Sequence, residues 1–329
     1  MVTLEENRKW FKEAKMGLMI HWGLYSIIGG EWKGQRIKTI GEWAMHRFEI
    51  SNNEYENLAK VFNPIYFNAE EWVRLCKDAG MQYIVVTSKH HDGFCLFKSD
   101  VDNYNSVDGS PFGRDIIAEI AAACKKHGLK LGLYYSQSLD WHEKHGAGYT
   151  KIIYHEGREV PCYWGNTWDY PNSKEKDYRY CFENKIKPQL KEILTKYGDI
   201  CLIWFDTPMA EQTTAQSQEL YDMVRKYQPG CLVNTRIGNG LGDYISCGDN
   251  KLPEKHTDAL MESPVTLNKT WGYKSFDNDW KSADRVYEIL QKCNSCGANL
   301  LLNVGPDHLG RIPAPAVDIL KELGKKINK

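Results

Sequence analysis

The sequence predicts an α/β protein of the (β/α)8 TIM-like barrel class, in which parallel strands form an inner ring and helices surround it. Apolar runs bounded by turn residues alternate with helical patterns along the whole chain. The length of 329 residues suits roughly eight such units. No GxGxxG motif follows the first run, which argues against a doubly wound nucleotide-binding sheet.

The predicted strands are short, continuous apolar runs, a pattern typical of parallel strands that are buried on both faces. They lie at Leu18–Trp22, Tyr83–Thr87, Leu129–Tyr135, Ile200–Phe205, Cys231–Asn234 and Asn299–Val304. The region 243–273 marks the remaining strands poorly, so we expect the barrel to be irregular there.

Helical patterns separate these runs, and a glycine directly follows several of them, as is common at helix ends. The predicted helices are Asn68–Ala79, Arg114–His127, Ser173–Tyr197, Thr213–Tyr227, Asp279–Lys292 and Ala314–Lys326. No internal repeat or linker interrupts the alternation. We therefore expect a single domain over residues 1–329.

The charge balance excludes several classes of partner. Lys and Arg number 42 against 43 Asp and Glu, so no charge excess exists to attract nucleic acid or an anionic membrane.

No run reaches the roughly 18 apolar residues of a membrane span. The charged, helix-like start does not resemble a secretory signal, and ten scattered cysteines do not suggest a disulfide framework. These features predict a cytoplasmic protein.

Polar and aromatic residues gather where the predicted strands end, which is where barrel enzymes carry their chemistry. The composition includes 11 Trp and 19 Tyr, residue types that stack on sugar rings while their polar atoms form hydrogen bonds. The strand-end residues are His21, Trp22, His90, His91, Asp92, Tyr134, Tyr135, Ser136, Trp204, Asp206, Asn234 and Arg236. Carboxylates, histidines, an arginine and aromatic rings together are typical of a glycoside hydrolase site.

Several longer motifs make the likeness specific. WFKEAKMGLMIHWGLYS, GEWAM, YIVVTSKHHDGFCLF, GLYYSQSLDW, LIWFDT, VNTRIG, TWGY and NLLLNVGPDHLGRIP follow one another along almost the whole chain. In these motifs the sequence resembles the retaining α-L-fucosidases of glycoside hydrolase family 29, represented by the catalytic barrel without the C-terminal β-sandwich of many relatives. The resemblance implies an exo-enzyme that releases terminal α-L-fucose by double displacement through a covalent fucosyl-enzyme, with transfer to other acceptors as a side reaction.

The resemblance also implies residue roles. Asp206 matches the family nucleophile, although Thr207 stands where the family commonly has glycine. The matched fucose-binding residues are His21, Glu42, Trp43, His90, His91, Tyr135, Trp204, Arg236 and Trp271. The implied partner is a fucosylated oligosaccharide or glycoconjugate, with no cofactor and no metal. A homo-oligomer is compatible with the sequence.

The general acid/base is less well marked, because the family places it on a variable loop. Asp249, in DYISCGDNKLPE, matches that loop best and is our first choice. Glu262, in ALMESPVTLNKTWGY, is the second and Glu254 the third. At least two of the three are ordinary carboxylates.

Two other functions are compatible with parts of this pattern. A metal-dependent hydrolase could use a ligand set drawn from His21, His90, His91, Asp92 and Asp206, but HxH and HExxH spacings are absent. A catalytically inactive fucose-binding protein would keep the sugar-binding residues, but it would have no need of a carboxylate at Asp206.

Overall fold

A computed structural model describes residues 2–150, 152–155, 158–161 and 163–327. Its main sheet contains eight parallel strands within these residues, numbered here in chain order. They are β1 Met16–Ile20, β2 Tyr83–Lys89, β3 Lys130–Ser136, β4 Ile200–Asp206, β5 Leu232–Val233, β6 Ile245–Ser246, β7 Met261–Thr266 and β8 Ala298–Val304. The strand order is β6-β7-β8-β1-β2-β3-β4-β5.

This order is that of a (β/α)8 barrel opened between β5 and β6. A single parallel bridge between Asn234 and Tyr244 joins these two edge strands. At the opposite side of the sheet, Leu18 of β1 pairs with Leu302 of β8 and with Ile84 of β2. The predicted fold class is confirmed, and the barrel is irregular in the expected region 243–273, because β6 there has only two residues.

Along each strand, one side chain points into the barrel and the next points towards the helices. Met19, Tyr134, Trp204 and Leu301 belong to one buried cluster, and their sequence neighbours belong to the larger cluster that packs against the helices. The inner cluster also includes Phe11 of the N-terminal helix, whose ring lies 4.8 Å from that of Tyr244. This alternation decides which strand-end side chains can reach the mouth of the barrel.

The helices also agree with the sequence pattern. The α-helices are α1 Leu4–Ala14, α2 Tyr25–Ile28, α3 Ala44–Arg47, α4 Asn52–Ala59, α5 Ala69–Asp78, α6 Ile116–His127, α7 Tyr178–Cys181, α8 Lys187–Lys196, α9 Thr214–Tyr227, α10 Ala283–Ser295 and α11 Ala314–Ile327. Side-chain caps explain several starts. Asn68, Asp115 and Ser282 each accept a hydrogen bond from a backbone N–H in the first turn of the helix that follows.

One predicted helix, over Ser173–Tyr197, is not continuous. It consists of a 3₁₀ turn at Ser173–Glu175, the short helix α7, a π-helical segment at Phe182–Ile186 and then α8. The Asp177 side chain caps α7 by accepting from the Arg179 N–H, so the regular helix begins later than the prediction.

Short elements complete the described chain. Two antiparallel hairpins pair Glu31–Trp32 with Gln35–Arg36 and Ile152–His155 with Arg158–Pro161. Two more 3₁₀ turns are Gly41–Trp43 and Thr235–Ile237. The nine cysteines within the described part are free thiols, and the tenth, Cys162, lies outside it. Among the described helices none has the length and apolar character needed to cross a membrane.

Candidate active site

The carboxyl ends of the strands surround a cavity of about 980 Å³. The side chains in its wall come from loops that are far apart in the sequence. Most of the predicted site residues line it: His21, Glu42, Trp43, His90, His91, Trp204, Asp206, Arg236, Asp249 and Trp271. The barrel therefore brings these residues together at one place.

Asp206, the last residue of β4, is held by its neighbours at both its carboxylate and its backbone. Tyr134 Oη donates to Oδ2 at 2.8 Å, and Arg236 Nη1 donates to Oδ1 at 3.0 Å. His91 Nε2 lies 3.8 Å from Oδ2. The Asp206 backbone N–H donates to Gln137 Oε1 at 2.7 Å. The carboxylate is thus aimed into the cavity by contacts on both of its oxygens.

The same neighbours keep Asp206 ionised. Burial acts to raise the pKa of this carboxyl, but the Arg236 guanidinium, His91 and the Tyr134 hydroxyl outweigh burial and hold the pKa below its usual value. An ionised carboxylate at neutral pH is the form that can act as a nucleophile.

Thr207, directly after this aspartate, has a φ of 53°. A residue with a Cβ is disfavoured in this left-handed region, and a β-branched one especially so. The backbone geometry gives a physical reason for the glycine that the family resemblance leads one to expect here. The threonine side chain that replaces it lines the cavity.

Arg236 connects two carboxylates. Besides Asp206, its Nη2 donates to the carboxylate of Asp249, and its Nε donates to Ser246 Oγ at 3.2 Å. The guanidinium also lies over the Trp204 ring, 4.6 Å from its centroid. The Asp249 side chain is 53% exposed, so it borders the open part of the cavity.

His90 and His91 both line the cavity although they are adjacent in the sequence. Regular strand geometry would direct them to opposite faces. The pairing of β2 with β3 shifts register between Thr87 and Lys89, immediately before the histidines, and the two rings lie 4.1 Å apart. This irregularity at the strand end allows both imidazoles to face one space.

The loop that carries the histidines is anchored by buried charges. Lys89 Nζ contacts Asp140 Oδ2 at 2.9 Å, and Lys185 Nζ contacts the same oxygen at 3.0 Å. All three side chains are buried. Lys185 comes from the π-helical segment Phe182–Ile186.

The tautomer of His21, with its hydrogen on Nδ1, follows from the hydrogen-bond partner of that nitrogen. His21 Nδ1 lies 2.7 Å from Asn303 Oδ1, and Asn303 Nδ2 donates to the Trp271 carbonyl at 2.8 Å. The amide oxygen therefore accepts a hydrogen from Nδ1. Burial lowers the pKa of His21 to about 4, so the ring is neutral and its Nε2 carries a free electron pair.

His91 has the same tautomer for a similar reason. Its Nδ1 lies 2.7 Å from Ser136 Oγ, and that hydroxyl donates its only hydrogen to the Leu139 carbonyl. Ser136 must therefore accept from Nδ1–H. Burial lowers the pKa of His91 to about 4. Two neutral imidazoles thus offer Nε2 as hydrogen-bond acceptors, a role that suits sugar hydroxyls.

Glu42 belongs to the 3₁₀ turn Gly41–Trp43 and joins two loops of the cavity wall. Its Oε2 accepts from the Gly272 backbone N–H at 2.8 Å, next to Trp271. Burial raises the pKa of Glu42 to about 7. The sequence alone predicted no helix or strand at Glu42, because a three-residue turn is too short to show a periodic pattern.

The three candidate acids occupy different environments. Asp249 lines the cavity, whereas Glu254 is exposed and lies outside the cavity wall. Glu262 is fully buried in the barrel, where its carboxylate accepts from Tyr83 Oη at 2.6 Å and from Trp204 Nε1 at 2.9 Å. Burial raises the pKa of Glu262 to about 7. Of these three candidates within the described residues, Asp249 alone has its carboxylate at the cavity.

The structure disagrees with the prediction for Tyr135. Its hydroxyl donates to Gln189 Oε1 at 2.9 Å, on the helix side of β3, and it does not line the cavity. Its neighbour Tyr134 points inward and donates to Asp206 instead. Strand alternation sends the two tyrosines to opposite faces, and the motif match selected the wrong one. Trp204, on the adjacent strand β4, points inward. Its pairing with Tyr134 across the two strands could have identified Tyr134 as the inward-facing tyrosine.

A metal site finds no support in the described residues. No group of three or more His, Cys, Asp or Glu side chains within them is arranged to hold a metal ion. In the cavity wall, His21 Nδ1 is committed to Asn303 and His91 Nδ1 to Ser136.

The barrel and its cavity, with carboxylates, histidines, an arginine and tryptophans at the strand ends, define a glycoside hydrolase. The chain belongs to the alpha-L-fucosidase family, whose model matches residues 2–329.

Solved structures and curated proteins agree with this assignment. AlfC from Lactobacillus casei, in complex with alpha-L-fucose, is 49% identical, with a TM-score of 0.91 and coverage of 98% of this chain and 99% of that one. An alpha-L-fucosidase from Vibrio sp. strain EJY3 is 34% identical, with a TM-score of 0.91 and coverage of 98% and 55%. A putative alpha-L-fucosidase from Caenorhabditis elegans is 31% identical over 340 residues, which are 97% of this chain and 64% of that protein. The chain thus spans somewhat less than two thirds of this curated relative.

Proposed function

We propose that this protein is a retaining exo-α-L-fucosidase that hydrolyses terminal α-L-fucose from oligosaccharides or glycoconjugates. Asp206 is the nucleophile and Asp249 is the general acid/base. The observation that carries the proposal is the placement of Asp206, which is ionised at the end of a rigid strand and linked through Arg236 to a second carboxylate at the same cavity.

In the first step, an Asp206 oxygen attacks the anomeric carbon of fucose, and the bond from that carbon to the leaving oxygen breaks. Asp249 gives its proton to the leaving oxygen, so the alcohol departs neutral. The product is a fucosyl ester of Asp206. The contacts of Tyr134 and Arg236 hold the carboxylate in place for this attack, which reduces the entropy lost on reaching the transition state.

In the second step, water attacks the same carbon from the side that the alcohol has left. Asp249, now a carboxylate, takes the proton from water, and the bond to Asp206 breaks. Two inversions give retained configuration. A sugar hydroxyl in place of water gives transfucosylation by the same chemistry.

The cavity wall supplies the groups that a small deoxy sugar requires. The Nε2 atoms of His21 and His91 accept hydrogen bonds from ring hydroxyls, and Arg236 donates to a hydroxyl oxygen beside Asp206. Trp271 offers an apolar surface for the C6 methyl group. The complex of an AlfC mutant with 4-nitrophenyl-α-L-fucopyranoside supports a fucoside as the substrate class.

No cofactor or metal takes part in this proposal, and its partner is the glycan alone. A catalytically inactive fucose-binding protein is the second candidate, since a sugar cavity does not itself require turnover. The ionised Asp206 and its link to Asp249 favour the enzyme, because neither carboxylate is needed to hold a neutral sugar.

The test is hydrolysis of 4-nitrophenyl α-L-fucopyranoside followed by NMR from the first minutes. We expect release of nitrophenol with α-fucose appearing before mutarotation produces the β-anomer. Initial β-fucose would overturn the retaining mechanism, and fucose binding without turnover would favour the inactive protein. A set of disaccharides with α1,2, α1,3, α1,4 and α1,6 linkages then defines the specificity.

A further inference from the structure

Trp164 lines the cavity but has no part in the fucose-binding set. Its ring meets the Trp43 ring edge to face, with centroids 5.6 Å apart, and Trp43 meets His91 at 5.5 Å. His91 in turn faces Asp206. Trp164 is therefore linked to the nucleophile through Trp43 and His91, and it is partly exposed whereas Trp43 is buried.

The backbone around Trp164 is held at successive residues. His46 Nε2 lies 2.9 Å from the Tyr163 carbonyl oxygen, and the buried Trp141 donates from Nε1 to the Trp164 carbonyl at 2.6 Å. The Gly165 N–H donates to the Gly148 carbonyl at 3.0 Å. The backbone of Trp164 is thus held before any ligand arrives, and its partly exposed ring packs against Trp43, which lowers the entropy cost of binding against it.

A cationic donor lies on the same part of the wall. The Arg47 guanidinium is 5.1 Å from the centroid of the Trp43 ring, and Arg47 is exposed and lines the cavity. Arg47 comes from α3, directly after the turn that carries Glu42 and Trp43. Its position therefore depends on the same segment as the fucose-binding residues.

We propose that Trp164 and Arg47 form the subsite for the sugar that leaves when fucose is released, an inference that rests on the proposed function. A neutral pyranose stacks the apolar face of its ring on the Trp164 indole. Arg47 donates to a hydroxyl or acetamido oxygen of that sugar. The cavity of about 980 Å³ is large enough for a second ring beyond the fucose.

This assignment predicts that Trp164 acts on the leaving sugar and not on fucose. Contacts to a remote part of the substrate contribute to kcat/KM only when that part is present. A substrate whose leaving group is a single fluorine atom lacks the second ring. The two kinds of substrate therefore separate the subsite from the chemistry.

The experiment compares Trp164→Ala and Trp164→Phe with the wild type on α-L-fucosyl fluoride and on the fucosyl disaccharide that the wild type cleaves fastest among the four linkages. We expect Trp164→Ala to lower kcat/KM for the disaccharide about tenfold more than for the fluoride. Trp164→Phe should recover part of the loss. Trp168→Phe is the matched control, because Trp168 is a partly exposed indole of the same loop that does not line the cavity.

Arg47→Met is a second variant at an exposed position, and we expect it to lower the disaccharide rate severalfold more than the fluoride rate. Equal losses on both substrates, or no loss in either variant, would overturn the subsite. Cleavage of the fluoride but of no disaccharide would also overturn it. If the folded wild type cleaves neither substrate, the proposed function itself fails.

Discussion

Arg236 donates to Asp206 Oδ1 at 3.0 Å while its other terminal nitrogen donates to Asp249. One guanidinium thus sets the spacing of the two carboxylates that the proposed mechanism uses. The planar fork of arginine suits this task, because its donors diverge at fixed angles. The stacking of Arg236 on Trp204 further limits how the fork can turn.

The first prediction concerns Asp206. Replacement by Ala or Gly should lower kcat by several orders of magnitude, because no other carboxylate within the described residues is held by both Tyr134 and Arg236. Azide added to Asp206→Gly should give β-fucosyl azide, since the anion occupies the place of the missing carboxylate. Asp199→Ala, at an exposed aspartate just before β4, serves as the control. Near wild-type turnover in Asp206→Ala would exclude this nucleophile.

The second prediction concerns the adjacent histidines. Both rings are buried in the cavity wall, and His90 Nδ1 has no hydrogen-bond partner within the described structure. We expect His90→Ala and His91→Ala each to lower kcat/KM. The activation free energy should rise by about 1–3 kcal/mol, which is the cost of leaving sugar hydroxyls unpaired. His256→Ala, at an exposed position, should have no effect. A silent variant at either position would remove that histidine from the site.

The sequence was sufficient to locate the strand ends but not to decide which way their side chains point. Apolar runs predicted β1–β5 and β8 because strands buried on both faces need little polarity. Tyr134 and Tyr135 lie on opposite faces of β3, and the motif that contains both does not show which of them points inward. The register shift between Thr87 and Lys89 of β2, which lets both histidines face the cavity, likewise leaves no mark in the composition.

The two strands β6 and β7, expected within 243–273, were poorly marked for a different reason. The β7 sequence MESPVT contains a buried glutamate and a proline, so it lacks the apolar run of a parallel strand. Glu262 is tolerated there only because Tyr83 and Trp204, both distant in sequence, donate to its carboxylate. The polar partners of a buried residue are a property of the fold and leave no local pattern.

The third prediction is that exhaustive chelation leaves the activity unchanged. Retaining hydrolysis uses two carboxylates and an oxocarbenium-like transition state, with no need for a Lewis acid. Dialysis against a strong chelator followed by assay with and without added zinc checks this. Loss of activity that zinc restores would favour a metal-dependent hydrolase.

The fourth prediction uses the buried carboxyl of Glu262. Burial raises its pKa from 4.5 to about 7 in the folded state, so the folded protein binds a proton that the unfolded chain has released between these values. The contribution of this group to stability is therefore present below about pH 4.5 and is lost as the pH rises through about 7. The free energy of unfolding of Glu262→Gln, relative to the wild type, should rise by about 3 kcal/mol between about pH 4 and pH 8.

Urea unfolding at a series of pH values measures this difference. Glu254→Gln is the matched control, because Glu254 is exposed, and its curve should run parallel to that of the wild type. Parallel curves for Glu262→Gln as well would show that the buried carboxyl does not titrate in this range.

The last prediction assigns the acid/base to Asp249, which lines the cavity, and not to Glu262, which is enclosed between Tyr83 and Trp204. Loss of a general acid harms poor leaving groups most, because a good leaving group departs without a proton. Asp249→Ala should therefore keep much of its first-step rate on an activated aryl fucoside while nearly losing activity on natural glycans.

The second step provides an independent check on the same residue. Without a base to activate water, the fucosyl ester on Asp206 should accumulate, and azide should attack it without needing deprotonation. The product is then α-fucosyl azide, of retained configuration, in contrast to the β-azide expected from Asp206→Gly. Glu262→Gln should behave like the wild type with both kinds of substrate, since its carboxyl lies outside the cavity. An α-azide from Glu262→Gln together with normal kinetics in Asp249→Ala would transfer the role to the buried glutamate, and Trp204 would then have to move to admit the leaving group.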